Sequence, residues 1–272
     1  MINSHTSLYC VLGDPIFHSL SPVMHNSAFA HIGYNGAYLA FNVKDIASAV
    51  AGIRGLGIKG VSVTIPHKVA VMEYLDEIDE KAVKIGAVNT IINKAGKLYG
   101  YNSDYLGAVD ALSEKTDIAG KDVVMIGAGG AARAIGFGVI SKGGNLTIAN
   151  IIEDEGKLLA KDLGVTYYPL SDINTCMKNV DCRILINATP VGMTPDVDGM
   201  PVPGEFLNKD MVVMDIVYNP LKTRLLKEAE DVGCVTVDGV SMFVFQGVFQ
   251  FELWTGKKAP VDVMRKAVLD AL

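Results

Sequence analysis

Four short runs in the first part of the chain combine side chains that could hold and transform a small polar molecule. In Ser62-Val63-Thr64-Ile65-Pro66-His67-Lys68 an alternating apolar stretch stops at a proline, so Thr64 and Lys68 follow the C-terminal end of a predicted strand. Open α/β sheets bind their ligands at such ends. A lysine there can give and take a proton, although a lysine beside a strand end is also an ordinary solvated residue. In Gly13-Asp14-Pro15-Ile16-Phe17-His18-Ser19-Leu20-Ser21-Pro22-Val23-Met24-His25-Asn26, Ser19 and Ser21 lie between a predicted strand and helix. Two hydroxyls at a helix N-terminus can hold a carboxylate without a fixed cation. The plainer reading makes Ser21 only the N-cap of that helix, with Pro22 at its first position. Gly86-Ala87-Val88-Asn89-Thr90 offers the Asn89 carboxamide, otherwise a simple turn residue. Gly100-Tyr101-Asn102-Ser103-Asp104 offers a carboxylate that could equally cap a helix over 104–112.

A fifth run points to a cofactor. Gly127-Ala128-Gly129-Gly130-Ala131-Ala132 sits where a predicted strand gives way to a helix. The first glycine permits a tight turn, the second lets backbone approach a pyrophosphate, and a small sixth residue lets helix and strand pack closely. Such glycine- and alanine-rich turns also arise for packing alone, but this one lies among repeated strand–helix units, the context a dinucleotide site requires. The partner choice falls at the end of the next strand, about 20 residues on. There the chain reads Asn150-Ile151-Ile152-Glu153-Asp154-Glu155, with Lys157 a helical turn further. Acids accept from free ribose hydroxyls, whereas a 2′-phosphate calls for arginine or lysine. NAD is therefore favoured over NADP, although an acidic first helical turn also suits the helix dipole.

The elements that must carry these residues alternate between strand and helix. Leu8–Leu12, Ala37–Val43 and Gly60–Ile65 read as strands, with helices over 22–31 and 45–56 between them. This predicts a mostly parallel sheet covered by helices. The pattern restarts at Val123, with helices over 130–142, 153–163 and 221–230 and strands over 146–150, 166–170, 184–188, 211–217 and 235–238. Residues 240–272 are apolar and helical and are expected to pack back on a sheet. The expected organisation is an open α/β substrate domain over 1–104, joined by 239–272, and a Rossmann-type domain over 105–238.

At 272 residues the chain suits about two domains. Half of it is hydrophobic and 20% is charged, ample for full cores. The net charge is −6, and the excess acid falls within 105–238, which argues against a nucleic-acid partner. Cys10, Cys176, Cys182 and Cys234 form no C-x-x-C pair, and no histidine pair has metal spacing, so free thiols and no metal are expected. The run Met242–Trp254 is too short and too polar to span a bilayer, and the N-terminus lacks a signal-peptide pattern. A soluble cytoplasmic protein is expected.

Taken in order, S-x-S-P-x-x-H-N, V-T-x-P-x-K, G-A-V-N-T, Y-N-S-D and G-A-G-G-A resemble the shikimate dehydrogenase family. The resemblance continues through Asn187-Ala188-Thr189-Pro190-Val191-Gly192-Met193, Asp215-Ile216-Val217-Tyr218-Asn219-Pro220, Asp238-Gly239-Val240-Ser241-Met242 and Gln246, so it spans essentially the whole chain. It implies reversible, NAD(P)-dependent reduction of 3-dehydroshikimate to shikimate on the route to chorismate and the aromatic amino acids. By the same resemblance, Ser19 and Ser21 would hold the substrate carboxylate. Thr64, Asn89, Asp104 and Gln246 would bind the ring hydroxyls, Lys68 would be the acid/base with Asp104 orienting it, and Tyr218 would lie near the substrate. Gly127, Ala128, Gly129, Gly130 and Ala131 would bind the pyrophosphate, with Asn150 and Glu153 toward the ribose. Glu80, Ile216 and Gly239 match positions that line the cofactor site in relatives. A hinge is expected near residues 102–106, and a homodimer is left open.

Three departures stand out. Relatives usually carry asparagine where Ser62 stands and glycine where Tyr105 stands. NADP-using members usually carry N-R-T-x-x-[RK] where this chain has Asn150-Ile151-Ile152-Glu153-Asp154-Glu155. An acid three residues after the asparagine resembles the quinate/shikimate branch, which can use NAD. Quinate or a related cyclic polyhydroxy acid is therefore an alternative substrate. A non-catalytic dinucleotide sensor is a further rival, against which the retention of Lys68 and Asp104 speaks.

Overall fold

The run Leu8–Leu12 is apolar at every position, which requires a strand covered on both faces. In the computed structural model of the chain, which describes residues 2–272, this strand is β1 (Ser7–Gly13). Cys10 and Leu12 enter one core, with Val50, Ile53, Val61, Val63, Ile91 and Leu98. Tyr9, on the other face, joins an aromatic layer, 5.2 Å from Phe29 and 5.5 Å from Trp254 between ring centroids.

The chain divides into two units, the first running to Ser103 and resuming at Val244–Ala271, the second spanning Asp104–Phe243. In the first, β1 is followed by α1 (Ser21–His31), β2 (Gly36–Asn42), α2 (Ile46–Leu56) and β3 (Gly60–Val63). Then come β4 (Glu77–Ile78), α3 (Glu80–Ile85) and a hairpin of β5 (Thr90–Lys94) and β6 (Lys97–Tyr101). The sheet order is β2-β1-β3-β5-β6-β4. The parallel character expected for it holds for β1 with β2 and β3 and for β4 with β6, whereas β5 runs antiparallel to β3 and β6.

Local sequence explains the helix ends. Asp45 caps α2 by accepting from the Ala47 and Ser48 N–H groups, and Gly57 closes it in the left-handed conformation. Ser21 differs from its expected role. It is the first helical residue, Leu20 stands at the N-cap without a side-chain bond, and the Ser21 N–H donates to Ser19 Oγ at 3.3 Å.

The second unit contains α4 (Asp104–Ser113), β7 (Asp122–Ile126), α5 (Gly130–Ser141), β8 (Asn145–Asn150), α6 (Glu153–Leu163) and β9 (Thr166–Pro169). It continues with α7 (Ile173–Asn179), β10 (Ile184–Asn187), β11 (Val212–Asp215), α8 (Arg224–Val232) and β12 (Val235–Val237). The order β12-β11-β10-β7-β8-β9, parallel throughout, is that of the doubly wound dinucleotide fold. Strands expected over 184–188 and 211–217 stop early for a shared reason. Asn187 Oδ1 accepts from the Thr189 N–H and Asp215 Oδ1 from the Val217 N–H, so each side chain turns the backbone. The helix expected from 221 starts at Arg224, capped by Thr223.

The chain closes with α9 (Gly239–Thr255), unbroken across the change of unit, and α10 (Val261–Leu269). Val244, Phe251 and Trp254 of α9 are buried, and Trp254 Nε1 donates to the Ile91 carbonyl of β5 at 2.9 Å, fastening the helix to the first sheet. Among the described residues no helix is long and apolar enough to cross a membrane. All four cysteines are free and buried, and desolvation pushes the Cys10 thiol up to about 12.

Candidate active site

The hairpin β5–β6 gathers the polar residues of the first unit. Because β5 is antiparallel to β3, its first residue, Thr90, pairs with Ser62 near the end of β3. Thr90 also pairs with Tyr101, the last residue of β6, so Asn102 and Ser103 emerge at the same sheet edge. The loops after β1 and β3, which carry Ser19, Thr64 and Lys68 and lead to Ser21 at the start of α1, leave from neighbouring strand ends and are laced together: the Asp14 N–H donates to the Ile65 carbonyl at 3.0 Å. The Val88 N–H donates to the Lys68 carbonyl at 2.8 Å, and the Val63 N–H to that of Asn89 at 2.8 Å. The lysine loop and the Asn89 turn are thus a single bonded frame.

Within that frame the side chains form a nearly dry network. Asn89 Oδ1 accepts from the Ser103 N–H and from Thr90 Oγ1, both at 2.7 Å, and Asn89 Nδ2 donates to Ser103 Oγ at 3.0 Å. Ser103 Oγ reaches Gln246 Oε1 at 3.4 Å. Asn102 Nδ2 donates to the Ala87 carbonyl at 3.0 Å, bracing the same turn. Sequence reasoning named Asn89 and Gln246 here but missed Tyr38, Thr90, Ser103 and Gln250. Gln250 carried a legible signal, a second polar residue four positions after Gln246 in the most apolar run of the chain and hence on the same face. Glu80 is also in this unit, exposed at the start of α3, whereas the other residues named for a cofactor belong to the second unit.

His25, in the α1 motif, is fully buried with both ring nitrogens lacking a hydrogen bond. It stacks on Tyr38 at 4.5 Å and lies within the rings of Phe29, Phe251 and Trp254. Desolvation pushes its pKa down to about 3, so this histidine is a neutral packing element. Among the described residues no cluster of histidine, cysteine or carboxylate side chains could hold a metal.

The second unit holds its candidate site differently. Gly127 follows β7 with φ of 118°, and a Cβ there would stand 2.8 Å from the carbonyl oxygen of Ala188, the residue after β10. Only glycine allows this approach. β7 and β10 are neighbours where the strand order reverses, the switch point at which such sheets bind ligands. At Gly129 and Gly130 an added Cβ would meet nothing, and α5 begins at Gly130 without a side-chain cap. Open space over uncapped helical N–H groups is a cradle that suits a pyrophosphate. Ala128 and Ala131 are half-buried along the same turn.

The loop beyond β10 is held by fully buried polar groups. Asn187 Nδ2 donates to Asp215 Oδ1 at 2.9 Å, and Asp215 Oδ2 accepts from Thr223 Oγ1 at 2.7 Å. Burial raises the Asp215 pKa to about 6, with Thr223, the Val217 N–H and Asn187 working against the rise. Gly239 abuts the strand-end loop so closely that a Cβ would lie 2.5 Å from the Ile216 and Val217 carbonyl oxygens. Tyr218 packs against Phe243 with the rings tilted and 5.2 Å between centroids, and burial raises its phenol pKa. Asp104 opens α4 and is buried, and Tyr105 packs edge-on against Phe137 of α5 at 5.5 Å. Asn150 closes β8 by donating to the Ile152 carbonyl at 2.8 Å. Glu153, at the start of α6, pairs with Lys157 at 2.7 Å on an exposed surface.

Comparison with known proteins adds to this geometry. The pattern described as the shikimate dehydrogenase substrate binding domain matches residues 11–91, and that of the shikimate 5'-dehydrogenase C-terminal domain matches 239–269. The chain is 46% identical to a shikimate dehydrogenase (NADP(+)) of Methanococcus maripaludis strain C6, covering 98% of each. It is 44% identical to the enzyme so named from Methanocaldococcus jannaschii, covering 100% of this chain and 99% of that one. The crystal structure of shikimate 5-dehydrogenase from Listeria monocytogenes, in complex with shikimate and NAD, is similar with a TM-score of 0.92 at 37% identity, covering 97% of both chains.

Proposed function

The chain belongs to the shikimate dehydrogenase family, and we propose that it catalyses the reversible, dinucleotide-dependent reduction of 3-dehydroshikimate to shikimate. The observation that carries this reading is the frame of hydrogen bonds that ties the Lys68 loop to the Asn89 turn beside Thr90, Ser103 and Gln246. It is joined in one chain to an open glycine turn at a switch point.

Residues 1–104 and 239–272 then serve the substrate and 105–238 the dinucleotide. Ser19 and Ser21 take the carboxylate, and Thr64, Asn89, Asp104 and Gln246 take ring hydroxyls, with Tyr218 against the substrate. When the alcohol is oxidised, Lys68 Nζ accepts the hydroxyl proton. In the reducing direction the Lys68 ammonium returns a proton to the developing alkoxide. Asp104 orients Lys68. Gly127, Ala128, Gly129, Gly130 and Ala131 cradle the pyrophosphate, while Asn150 and Glu153 face the ribose and Glu80, Ile216 and Gly239 line the remainder. The bound dinucleotide supplies the hydride acceptor or donor.

The cofactor is a nicotinamide dinucleotide, and NAD is the preferred one. Support comes from the segment after β8, where exposed Ile151 and Ile152 replace the arginine side of the family pattern. The acid Glu153 engages Lys157, the nearest cation along the sequence. Steady-state rates for shikimate and quinate, each with NAD and NADP, test the whole reading. Turnover of shikimate, with a higher kcat/KM for NAD, is expected. Absence of turnover with both acids would overturn the function, and a strong NADP preference would overturn the cofactor choice.

A further inference from the structure

Ser62 departs from the asparagine usual in the family, and the structure shows what fills its surroundings. The Tyr38 phenol donates to Ser62 Oγ at 2.6 Å, and Ser62 Oγ donates to Gln250 Oε1 at 2.8 Å. Gln250 Nε2 donates to Thr90 Oγ1 at 3.0 Å, and Thr90 Oγ1 donates to Asn89 Oδ1 at 2.7 Å. Gln250 accepts through Oε1 and donates through Nε2, which orients the run from Tyr38 through Ser62, Gln250 and Thr90 to Asn89. Ser21 also bears on the Tyr38 phenol, offsetting part of the rise that burial imposes on its pKa. The series therefore starts beside one candidate carboxylate ligand and ends on a candidate hydroxyl ligand.

The direction matters at its end. Asn89 Oδ1 already accepts from the Ser103 N–H. With Thr90 donating to the same oxygen, a flipped carboxamide would turn its NH2 toward a donor N–H and a committed hydroxyl. Buried polar groups left in that state are costly. Thr90 Oγ1 accepts from Gln250 Nε2, and of its two other neighbours the Asn89 Oδ1 at 2.7 Å is nearer than the Ser103 Oγ at 3.1 Å, so its hydrogen goes to the amide oxygen. The Gln250 amide is spent on protein groups, Oε1 on Ser62 and Nε2 on Thr90, with Ser103 Oγ and the Asn89 carbonyl beside it, so it acts through Thr90 and Asn89.

We propose that Gln250 is a positioning residue of the substrate site: its carboxamide, brought in by α9 and locked by Ser62 and Tyr38, takes the place of the asparagine usual at position 62 and fixes the orientation of Asn89. This rests on the functional reading above. It explains why a short hydroxyl is sufficient on β3, since the amide arrives from the opposite direction.

The test uses the full chain and four variants: Gln250→Ala, Gln250→Met, Ser62→Asn, and the double variant Ser62→Asn/Gln250→Ala. Losing the Gln250 bonds should raise KM for shikimate about tenfold, with kcat within about threefold. KM for the dinucleotide, read on the other unit, should not change. Gln250→Met keeps the volume without the amide and should show the same KM rise even if the alanine variant folds poorly. Ser62→Asn alone crowds Gln250 and should also raise KM. The double variant, with an amide again at the site and space for it, should recover most of the lost kcat/KM. An unchanged shikimate KM in folded Gln250→Met, or a double variant no better than Gln250→Ala, would overturn the proposal while leaving the enzyme reading intact. A wild-type chain that turns over neither shikimate nor quinate would overturn both.

Discussion

In the first unit, the polar groups at the strand ends are side chains that satisfy one another: Asn89, Thr90, Ser103, Gln246 and Gln250 are all buried and bonded. In the second unit the groups at the strand ends are backbone, exposed at Gly129 and Gly130 and shaped by the close approach of Gly127 to Ala188. Its buried side chains, Asn187, Asp215 and Thr223, stand behind the loop and hold it. A site built of side chains depends on the identity of each residue. A site built of backbone depends on the shape of the turn and on open space over its N–H groups, which a side chain would fill. The substrate of the first kind can be a ring with several hydroxyls to be told apart, whereas a pyrophosphate offers only equivalent oxygens, for which aligned N–H groups suffice.

The strongest blow to this contrast would come from Lys68. Lys68→Ala should lower turnover by about two to four orders of magnitude, with KM for substrate and dinucleotide close to the wild type. Steady-state kinetics checks this. Near-normal turnover would mean that the acid/base group lies elsewhere and that side-chain identity in the first unit matters less than argued.

Acid should separate the units by sign. His25 has its folded pKa lowered to about 3, below its unfolded value of 6.5. Below 6.5 the unfolded chain binds a proton that the folded first unit refuses, so stability falls toward acid by about 1.4 kcal/mol per pH unit. Asp215 has its folded pKa raised from 3.8 to about 6. Between those values the folded second unit binds the extra proton, so its stability rises toward acid with a similar slope. Urea unfolding of His25→Phe and Asp215→Asn against the wild type, at pH 7 and pH 4.5, reads each contribution. The acid sensitivity should weaken in the histidine variant and strengthen in the aspartate variant. Shifts of the same sign would remove the distinction.

Much of this was legible in the sequence for a physical reason. The second unit repeats strand, turn and helix with regular periods, and Gly127 and the apolar run before it mark the strand-to-helix turn. The first unit was legible where its strands are parallel and lost at the hairpin. Thr90–Lys94 and Lys97–Tyr101 are short and mix charged with apolar residues, so no clean alternation marks them. Yet their antiparallel register is what delivers Asn89 and Ser103 to Lys68's loop. The expected N-cap at Ser21 failed because Ser19 already supplies the capping oxygen to the Ser21 N–H. Gln250 shares a face of α9 with Gln246, which the spacing shows, but only the tertiary contacts to Ser62 and Thr90 give its amide a purpose.

Within the second unit, steric changes should count for more than chemical ones. Gly127→Ala puts a Cβ at 2.8 Å from a carbonyl oxygen in a left-handed conformation, which should cost about 1–3 kcal/mol of stability. Gly129→Ala meets nothing and should stay within about 0.5 kcal/mol. Thermal unfolding of both variants separates the two cases, and equal losses would show that the turn is not shaped by its approach to Ala188.

The smallest effect sits where the contrast must bend. Discriminating NAD from NADP concerns a single phosphate on the ribose, and the pyrophosphate cradle cannot sense it, so here the second unit has to rely on side chains. Ile151 is 78% exposed and packs against little, so an arginine there should be tolerated. Its guanidinium can meet a phosphate with charge-assisted hydrogen bonds worth about 1.5–3 kcal/mol, although Glu153 and Asp154 nearby would draw on the same cation. Ile151→Arg should therefore raise kcat/KM for NADP about tenfold relative to NAD, with kcat for shikimate oxidation unchanged. If the ratio does not move, the ribose end is read by backbone as well, and the division between a side-chain site and a backbone site extends further than the structure suggests.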